Sequence, residues 1–97
     1  MLYAVNRAYG GFSLSEELAK ELGVNEYSSY EFVRTDPRTF ASIRAGKEPD
    51  LAIIDIPDEA TDWELNEYDG FETVTAVVDG KLYHVPTLFR ASNIHED

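Results

Sequence analysis

Cysteine is absent from the 97 residues, and basic residues are few, with eight Lys and Arg against nineteen Asp and Glu. Without cysteine there is no disulfide framework, no thiolate metal site and no cysteine nucleophile, which favours the reducing cytoplasm as the location. The formal net charge of −11 disfavours direct binding to nucleic acid, because a phosphate backbone is held by clustered Lys and Arg. A basic protein is the partner that this charge favours.

Long apolar runs are also missing. No run approaches the roughly 20 residues of a membrane-spanning helix, and the apolar stretch at the N-terminus is too short for a signal peptide. Hydrophobic residues nevertheless make up 43% of the chain, enough for one small core. We expect a single domain over residues 1–85 and a flexible tail over residues 86–97, where no periodicity is present.

Two short helices are predicted in the first half of the chain. Ser13 and Glu16 have the spacing of a capping box and precede a stripe of leucines, which predicts a helix over residues 13–22. Asp36, followed by proline, has the features of an N-cap and predicts a second helix over residues 37–45.

Strands are predicted on either side of these helices. Residues 2–6 have the composition of a short strand, and residues 24–34 are predicted to form a loop that leads to a short edge strand. The nearly continuous apolar run of residues 51–56 is typical of a central strand that is buried on both faces.

The last third of the chain is predicted to form a three-stranded meander, because Asp69-Gly70 and Asp79-Gly80 are both signals for two-residue type I′ hairpin turns. These turns define a register, which pairs Tyr68 with Phe71, Glu67 with Glu72, Asn66 with Thr73, Leu65 with Val74, Trp63 with Ala76, Ala76 with Tyr83 and Val74 with Val85. One face then becomes largely apolar. We expect an α+β fold in two layers: an antiparallel sheet with this meander at about residues 62–85, and both helices packed on one face.

The net charge is concentrated in one segment. Between Glu48 and Gly80 there are eleven acidic residues and no Lys or Arg, whereas eight acids and eight bases lie outside it. Such a run is either a solvated face that keeps the protein soluble or a docking surface. Alternate carboxylates on a strand stand about 6.6–6.8 Å apart, and an array of this kind can imitate a phosphate backbone.

The candidate partner-binding residues belong to this segment. Seven carboxylates would supply charge and two aromatic residues beside the first hairpin turn would serve as anchors. The carboxylates are Asp58, Glu59, Asp62, Glu64, Glu67, Asp69 and Glu72, and the anchors are Tyr68 and Phe71. Glu67 and Glu72 lie opposite each other in the predicted register, which is unfavourable for folding alone.

A second candidate site is the turn between the first strand and the first helix. Arg7, Gly10 and Gly11 could bind an anion there, because glycines allow backbone N–H groups to converge; a tight turn without a ligand is the alternative. The sequence contains no calcium-loop pattern, no zinc-ligand spacing and no serine with a suitable histidine and aspartate. We therefore expect no metal, no cofactor and no catalytic residues.

Four sequence blocks resemble those of a family of small bacteriophage and prophage proteins. The blocks are Asn6-Arg7-Ala8-Tyr9-Gly10-Gly11-Phe12, Arg34-Thr35-Asp36-Pro37, Asp55-Ile56-Pro57-Asp58 and Trp63-Glu64-Leu65-Asn66-Glu67-Tyr68-Asp69-Gly70. The resemblance implies a phage-like origin and supplies no catalytic residues. By analogy, it also implies an inhibitor of a host defence protein or of a host nucleic-acid enzyme.

The function that these observations favour is protein–protein binding without enzymatic activity. The protein would present its acidic segment to the basic groove of a host protein in the host-cell cytoplasm, as a mimic of nucleic acid. One alternative is a small-ligand or enzyme-accessory role at the Arg7-Gly10-Gly11 turn. A second alternative is a virion or assembly subunit, which would associate through exposed sheet edges.

Overall fold

The computed structural model describes residues 1–91. Along this part of the chain the helices and strands are β1 (Leu2–Asn6), α1 (Glu16–Leu22), α2 (Glu31–Arg34), α3 (Pro37–Arg44), β2 (Leu51–Asp55), β3 (Asp62–Tyr68), β4 (Phe71–Val78), β5 (Lys81–His84) and β6 (Thr87–Phe89). The strands form two antiparallel sheets, a central sheet in the order β1-β2-β6 and a meander in the order β3-β4-β5. The predicted α+β class is confirmed.

The central sheet is covered on both faces. Successive side chains of β2 point to opposite sides of the sheet. Leu51 and Ile53 pack in one core cluster with the helices, which includes Ile43 of α3. Ile54 packs in a second cluster with the meander, which includes Val74 of β4. The central strand covered on both faces is therefore confirmed, although Asp55 at its end is exposed. The molecule has three layers rather than two, because the meander is a separate sheet on the face opposite the helices.

The meander has the predicted register. β3 and β4 pair as expected along their whole length, and β5 continues the pattern with Ala76 opposite Tyr83. Asp69 and Asp79 have φ angles of 51° and 54°, and the glycine after each is also at positive φ, as a type I′ turn requires. Beyond β5, the Val85 N–H donates to a carbonyl of β4 at 3.0 Å, so the apolar face extends to this residue as predicted.

Helix α1 begins three residues later than predicted, because Ser15 rather than Ser13 is its N-cap. The Ser15 side chain accepts a hydrogen bond from the Leu18 N–H at 3.2 Å. The glutamate that completes this cap comes from a distant loop: the carboxylate of Glu48 accepts hydrogen bonds from the Ser15 N–H at 2.8 Å and from its hydroxyl at 2.6 Å. Glu48 also accepts from the Ser42 hydroxyl at 2.6 Å, so this buried carboxylate joins α1 to α3.

The predicted edge strand within residues 24–34 is wrong, since its last four residues form the single-turn helix α2. The residues of this segment that favour strands differ in burial. Val33 is fully buried in the core, whereas Tyr30 and Phe32 are exposed. Packing of one apolar side chain against β1 outweighs the strand propensity of the others. Helix α3 begins as predicted, with the Asp36 carboxylate accepting from the Arg38 N–H at 2.8 Å, and the Arg38 contacts lower the pKa of Asp36.

A buried ion pair closes the free edge of β1. Arg34 in α2 and Glu72 in β4 have side chains that are 4% and 7% exposed, and two hydrogen bonds of 2.8 Å join them. Arg34 also donates to the Ala4 carbonyl at 3.1 Å, and Glu72 accepts from the Asn6 N–H at 2.8 Å. These two backbone groups lie on the edge of β1 that faces away from β2. The ion pair therefore satisfies two of the groups that a further strand would otherwise bind.

The third strand of the central sheet lies in the segment predicted to be a tail. Residues 87–89 form β6, which pairs with β2 by placing Phe89 opposite Ile53 and Thr87 opposite Ile54, with an irregularity between the two pairs. The remainder of the predicted flexible tail, residues 92–97, lies outside the described residues. A three-residue edge strand with no alternation of its own gives little signal in the sequence.

The tip of the first hairpin packs against the glycine turn that follows β1. The Gly10 N–H donates to the Asp69 carbonyl at 2.9 Å, and the Asn6 side-chain amide donates to the Gly70 carbonyl at 2.6 Å. A Cβ atom at position 70 would overlap the backbone nitrogen of Gly11. The two turns approach so closely because neither has a side chain at the contact.

Substituting the two hairpin glycines tests this contact. Gly80→Ala should destabilise the protein by about 1–2 kcal/mol, because alanine is strained at positive φ and the φ at this position is +74°. Gly70→Ala should cost more than about 1 kcal/mol beyond that, because the backbone of the opposing turn must move. Urea unfolding followed by circular dichroism measures both losses. Equal losses at the two positions would contradict the close contact, since no atom lies near a Cβ at position 80.

Candidate interaction surface

Exposed carboxylates follow β3 and the turns at its two ends. We call this set the acidic surface, and its members are Asp58, Glu59, Asp62, Glu64, Glu67 and Asp69, all of which are exposed. Most of the exposed cations in residues 1–91 lie elsewhere, on α1, α3 and the turn after α3, which cover the opposite face of the central sheet. These cations are Lys20, Arg38, Arg44 and Lys47, and Lys81 at the second hairpin turn is the exception. The charge asymmetry of the sequence is thus also an asymmetry in space.

The position of the acidic surface follows from the edge location of β3. A turn leads into the strand, with the Ala60 N–H donating to the Pro57 carbonyl at 3.1 Å and the Thr61 N–H donating to the Val77 carbonyl at 2.9 Å. Asp62 and Glu64 then occupy alternate positions and share the outer face of the meander. They stand about 6.6–6.8 Å apart on that face, because each residue of a strand advances the chain by about 3.3–3.4 Å.

Glu72 is placed differently from the other predicted partner-binding residues. It lies opposite Glu67 as predicted, but its side chain is buried and its oxygens accept from Arg34 and from the Asn6 N–H. It cannot contact a partner in this fold, so its assignment to the docking surface is corrected. The unfavourable pairing of like charges is also relieved, because Arg34 neutralises Glu72 while Glu67 remains exposed and accepts from the Gly70 N–H.

The two predicted aromatic anchors lie opposite each other, as expected, but only one is fully available. Tyr68 is 73% exposed. Phe71 is half-buried, with its ring centroid 5.8 Å from that of Tyr9 and 5.7 Å from the guanidinium carbon of Arg7. Phe71 therefore covers an internal arginine, and Tyr68 is the anchor that a partner can reach.

The geometry does not support the predicted anion site at Arg7, Gly10 and Gly11. The Arg7 guanidinium turns inward and donates to the Glu72 carbonyl and to the Thr87 hydroxyl. The Gly10 N–H is used by the hairpin tip. Carboxylates of Glu67 and Asp69, rather than cations, line the depression of about 560 Å³ beside the two glycines.

Arg7 nevertheless has an unusual environment. Burial lowers the pKa of its guanidinium, the nearby charge of Arg90 lowers it further, and Glu72 acts in the opposite direction. Arg90 donates to the Arg7 carbonyl at 3.3 Å. These contacts join β6 to the end of β1, which gives Arg7 a structural role at the boundary between the two sheets.

Residues 1–91 contain neither a metal-binding cluster nor a membrane-spanning helix. No group of three or more His, Asp or Glu side chains in this range could hold a metal ion. None of the helices in the same range is long and apolar enough to cross a membrane.

The polar residues that hold the fold together were not identified from the sequence. Asn6, Arg34 and Glu48 are buried, and each joins segments that are far apart in the chain. The only available signal was a polar residue within or next to an apolar segment, which does not identify its partner.

Comparison of the chain with protein-family models, with curated proteins and with solved structures found no match. The resemblance to phage proteins therefore stays a prediction.

Removing one member of the ion pair should be far more damaging than removing an exposed carboxylate nearby. We expect Glu72→Gln to lower the free energy of unfolding by about 3–5 kcal/mol, because it leaves Arg34 buried without a counter-charge. The matched control, Glu64→Gln in the neighbouring strand, should change it by less than about 0.5 kcal/mol. Denaturant unfolding of the two variants gives the comparison, and similar values for both would show that Glu72 is not ion-paired.

A double substitution separates the ion pair from its bonds to β1. Replacing both members by apolar residues often restores stability at a buried pair. Here Arg34→Met with Glu72→Leu should remain at least about 2 kcal/mol less stable than the natural protein, because the Ala4 carbonyl and the Asn6 N–H lose their partners. Recovery of full stability in the same unfolding assay would show that the backbone bonds contribute nothing.

Proposed function

We propose that the protein acts by protein–protein binding and that its acidic surface docks in the basic groove of a partner. One observation carries this proposal: the six exposed carboxylates of the acidic surface follow a single edge strand and its turns with no exposed Lys or Arg among them, whereas the helical layer carries exposed acids together with most of the exposed cations. A surface of one sign steers an oppositely charged partner and raises the rate of association at low salt. Tyr68, which is 73% exposed at the end of β3, is the proposed aromatic anchor.

Folding makes little use of the acidic surface. Among residues 1–91, no Lys or Arg lies within ion-pairing distance of Glu59, Asp62, Glu64, Glu67 or Asp69. Asp58 is paired with the Met1 amino group, yet its side chain is 95% exposed. Unpaired carboxylates on neighbouring positions repel one another. Their grouping is therefore better explained by an external partner than by the stability of the chain.

The proposed partner is a basic host protein that binds nucleic acid. Asp62 and Glu64 have the spacing of alternate strand positions, about 6.6–6.8 Å, which approaches that of successive phosphates along an extended strand. The net charge of −11 supports mimicry of nucleic acid rather than binding to it. The resemblance of the sequence blocks to phage proteins supports an inhibitor of a host enzyme that acts in the cytoplasm.

Two variants with the same net charge test the proposal, because each loses four carboxylates but from a different part of the surface. The surface variant carries Glu59→Gln, Asp62→Asn, Glu64→Gln and Asp69→Asn. The matched control carries Glu16→Gln, Glu21→Gln, Glu26→Gln and Glu31→Gln, which remove the same charge from α1, α2 and the turn between them.

The measurement is a pull-down from bacterial lysate with mass spectrometry, at about 50 mM and about 500 mM salt, because screening weakens charge contacts as salt rises. The natural protein and the control should retain the same basic protein at low salt, and the surface variant should not. High salt should release it from both. Retention by the surface variant, or equal loss from both variants, would contradict the proposal, since either would show that the location of the charge does not matter.

A further inference from the structure

A cleft lies at the corner where the two sheets meet. Its volume is about 400 Å³. The loop after β2 forms one wall, and β5, β6 and the residues between them form the other. Val85, between those two strands, is buried and bonded to β4, which holds the corner in place.

One wall of the cleft is apolar and exposed. Tyr83 of β5 is 42% exposed and Leu88 of β6 is 59% exposed, and Pro86 lies between them in the chain. β5 is an edge strand of the meander and β6 is an edge strand of the central sheet. Within residues 1–91 the outer edges of these two strands pair with no other strand, and Tyr83 and Leu88 line the same cleft. Such edges accept extended peptide segments.

The facing wall is acidic. It carries Asp55, Asp58 and Glu59, and no Lys or Arg lines the cleft. The Met1 amino group lies 2.9 Å from Asp55 and 3.2 Å from Asp58, so this wall already holds one ammonium group. With three carboxylates and one ammonium group, the wall has a net charge of about −2 at neutral pH. The exposed Glu59 does not contact the Met1 amino group.

Two other depressions lack this combination of an acidic wall and an apolar wall. The largest lies between α1 and α3 and has cations and anions side by side, including an ion pair of 3.5 Å between Lys47 and Glu17. The depression beside Gly10 and Gly11 has carboxylates but only Tyr9 as an aromatic wall. A further depression of about 360 Å³ has Asp62 and Glu64 beside Trp63 and Leu82, but it lies on the meander alone. The corner cleft instead joins an acidic wall to an apolar wall that is formed by edge strands of both sheets.

We infer that the corner cleft receives an extended, lysine- or arginine-containing segment of the basic partner. An apolar side chain of that segment packs between Tyr83 and Leu88, and a neighbouring cationic side chain faces Asp58 and Glu59. This inference rests on the proposed function and adds to it the site and the sequence character of the segment that is bound. Nucleic acid does not fit the cleft, because its phosphates would face the acidic wall.

Titration with a defined peptide tests the inference. The probe is a short peptide of alternating lysine and leucine, and a peptide of alternating glutamate and leucine is the control. Backbone amide NMR spectra of the full chain at about 50 mM salt, where screening is weak, report which residues respond. The cationic peptide should shift the amides of residues 55–59 and 83–88 in a saturable way, and the anionic peptide should not.

Matched variants separate the cleft from the outer face of the meander. Tyr83→Ser with Leu88→Ser removes the apolar wall, and Tyr68→Ser with Leu82→Ser makes the same chemical change at sites that are each 73% exposed outside the cleft. The cleft variant should bind the cationic peptide about tenfold more weakly, a loss of about 1.4 kcal/mol, whereas the other should lose less than about threefold. Because all four side chains are exposed, both variants should keep the fold, which circular dichroism checks.

The outcomes distinguish this inference from the function on which it rests. Shifts confined to β3 and its turns, with the larger loss in the Tyr68 and Leu82 variant, would overturn the cleft and leave the acidic surface as the docking site. Equal responses to both peptides would also overturn the cleft, because its acidic wall would then contribute no selectivity. Failure of the proposed function is detected separately, by the pull-down with charge variants.

Discussion

The fold depends on closing the outer edge of β1. A strand at the edge of a sheet has unpaired N–H and C=O groups, and proteins usually cover them or leave them to water. Here Arg34 and Glu72 reach this edge from a helix on one side and from the meander on the other, and together they bind the Ala4 carbonyl and the Asn6 N–H. The guanidinium also lies 4.4 Å from the ring centroid of Phe12. One ion pair thus connects all three layers, and its burial is compensated by bonds that an ordinary pair would lack.

Three of the four sequence blocks on which the prediction of a phage-type family rests contribute residues to this framework. Asn6 and Gly10 of the first block contact the hairpin tip of the fourth block, and Arg34 of the second block binds Glu72 just beyond it. The ring of Trp63 in the fourth block packs edge-on against Tyr3, with centroids 5.1 Å apart. Residues of this kind are constrained by the fold, so these blocks bear on structure more directly than on activity. The surfaces that we propose for partner binding lie on the exposed side of the meander and at its corner, where packing imposes little constraint.

Local signals in the sequence were reliable, and contacts between distant segments were not. The meander could be predicted because two Asp-Gly turns fix the register of the strands beside them. The ion pair could not, because its members are 38 residues apart and each looks like a surface residue in the sequence. The start of α1 was misplaced for the same reason: Glu48, 33 residues away, completes the cap at Ser15. All six carboxylates of the acidic surface were predicted to be exposed, and they are. Glu72 was predicted to be exposed because of its charge, but the alternation of side chains along β4 places it on the buried face.

Hydrogen exchange at the Asn6 amide is the most direct test of this account. In the natural protein this N–H is held by a buried carboxylate, so it should exchange as slowly as the amide of Val5, which lies in the same strand where it pairs with β2. Exchange as fast as that of the exposed Gly80 amide would show that the edge of β1 is open. That result would contradict the central claim that a side-chain ion pair takes the place of a strand.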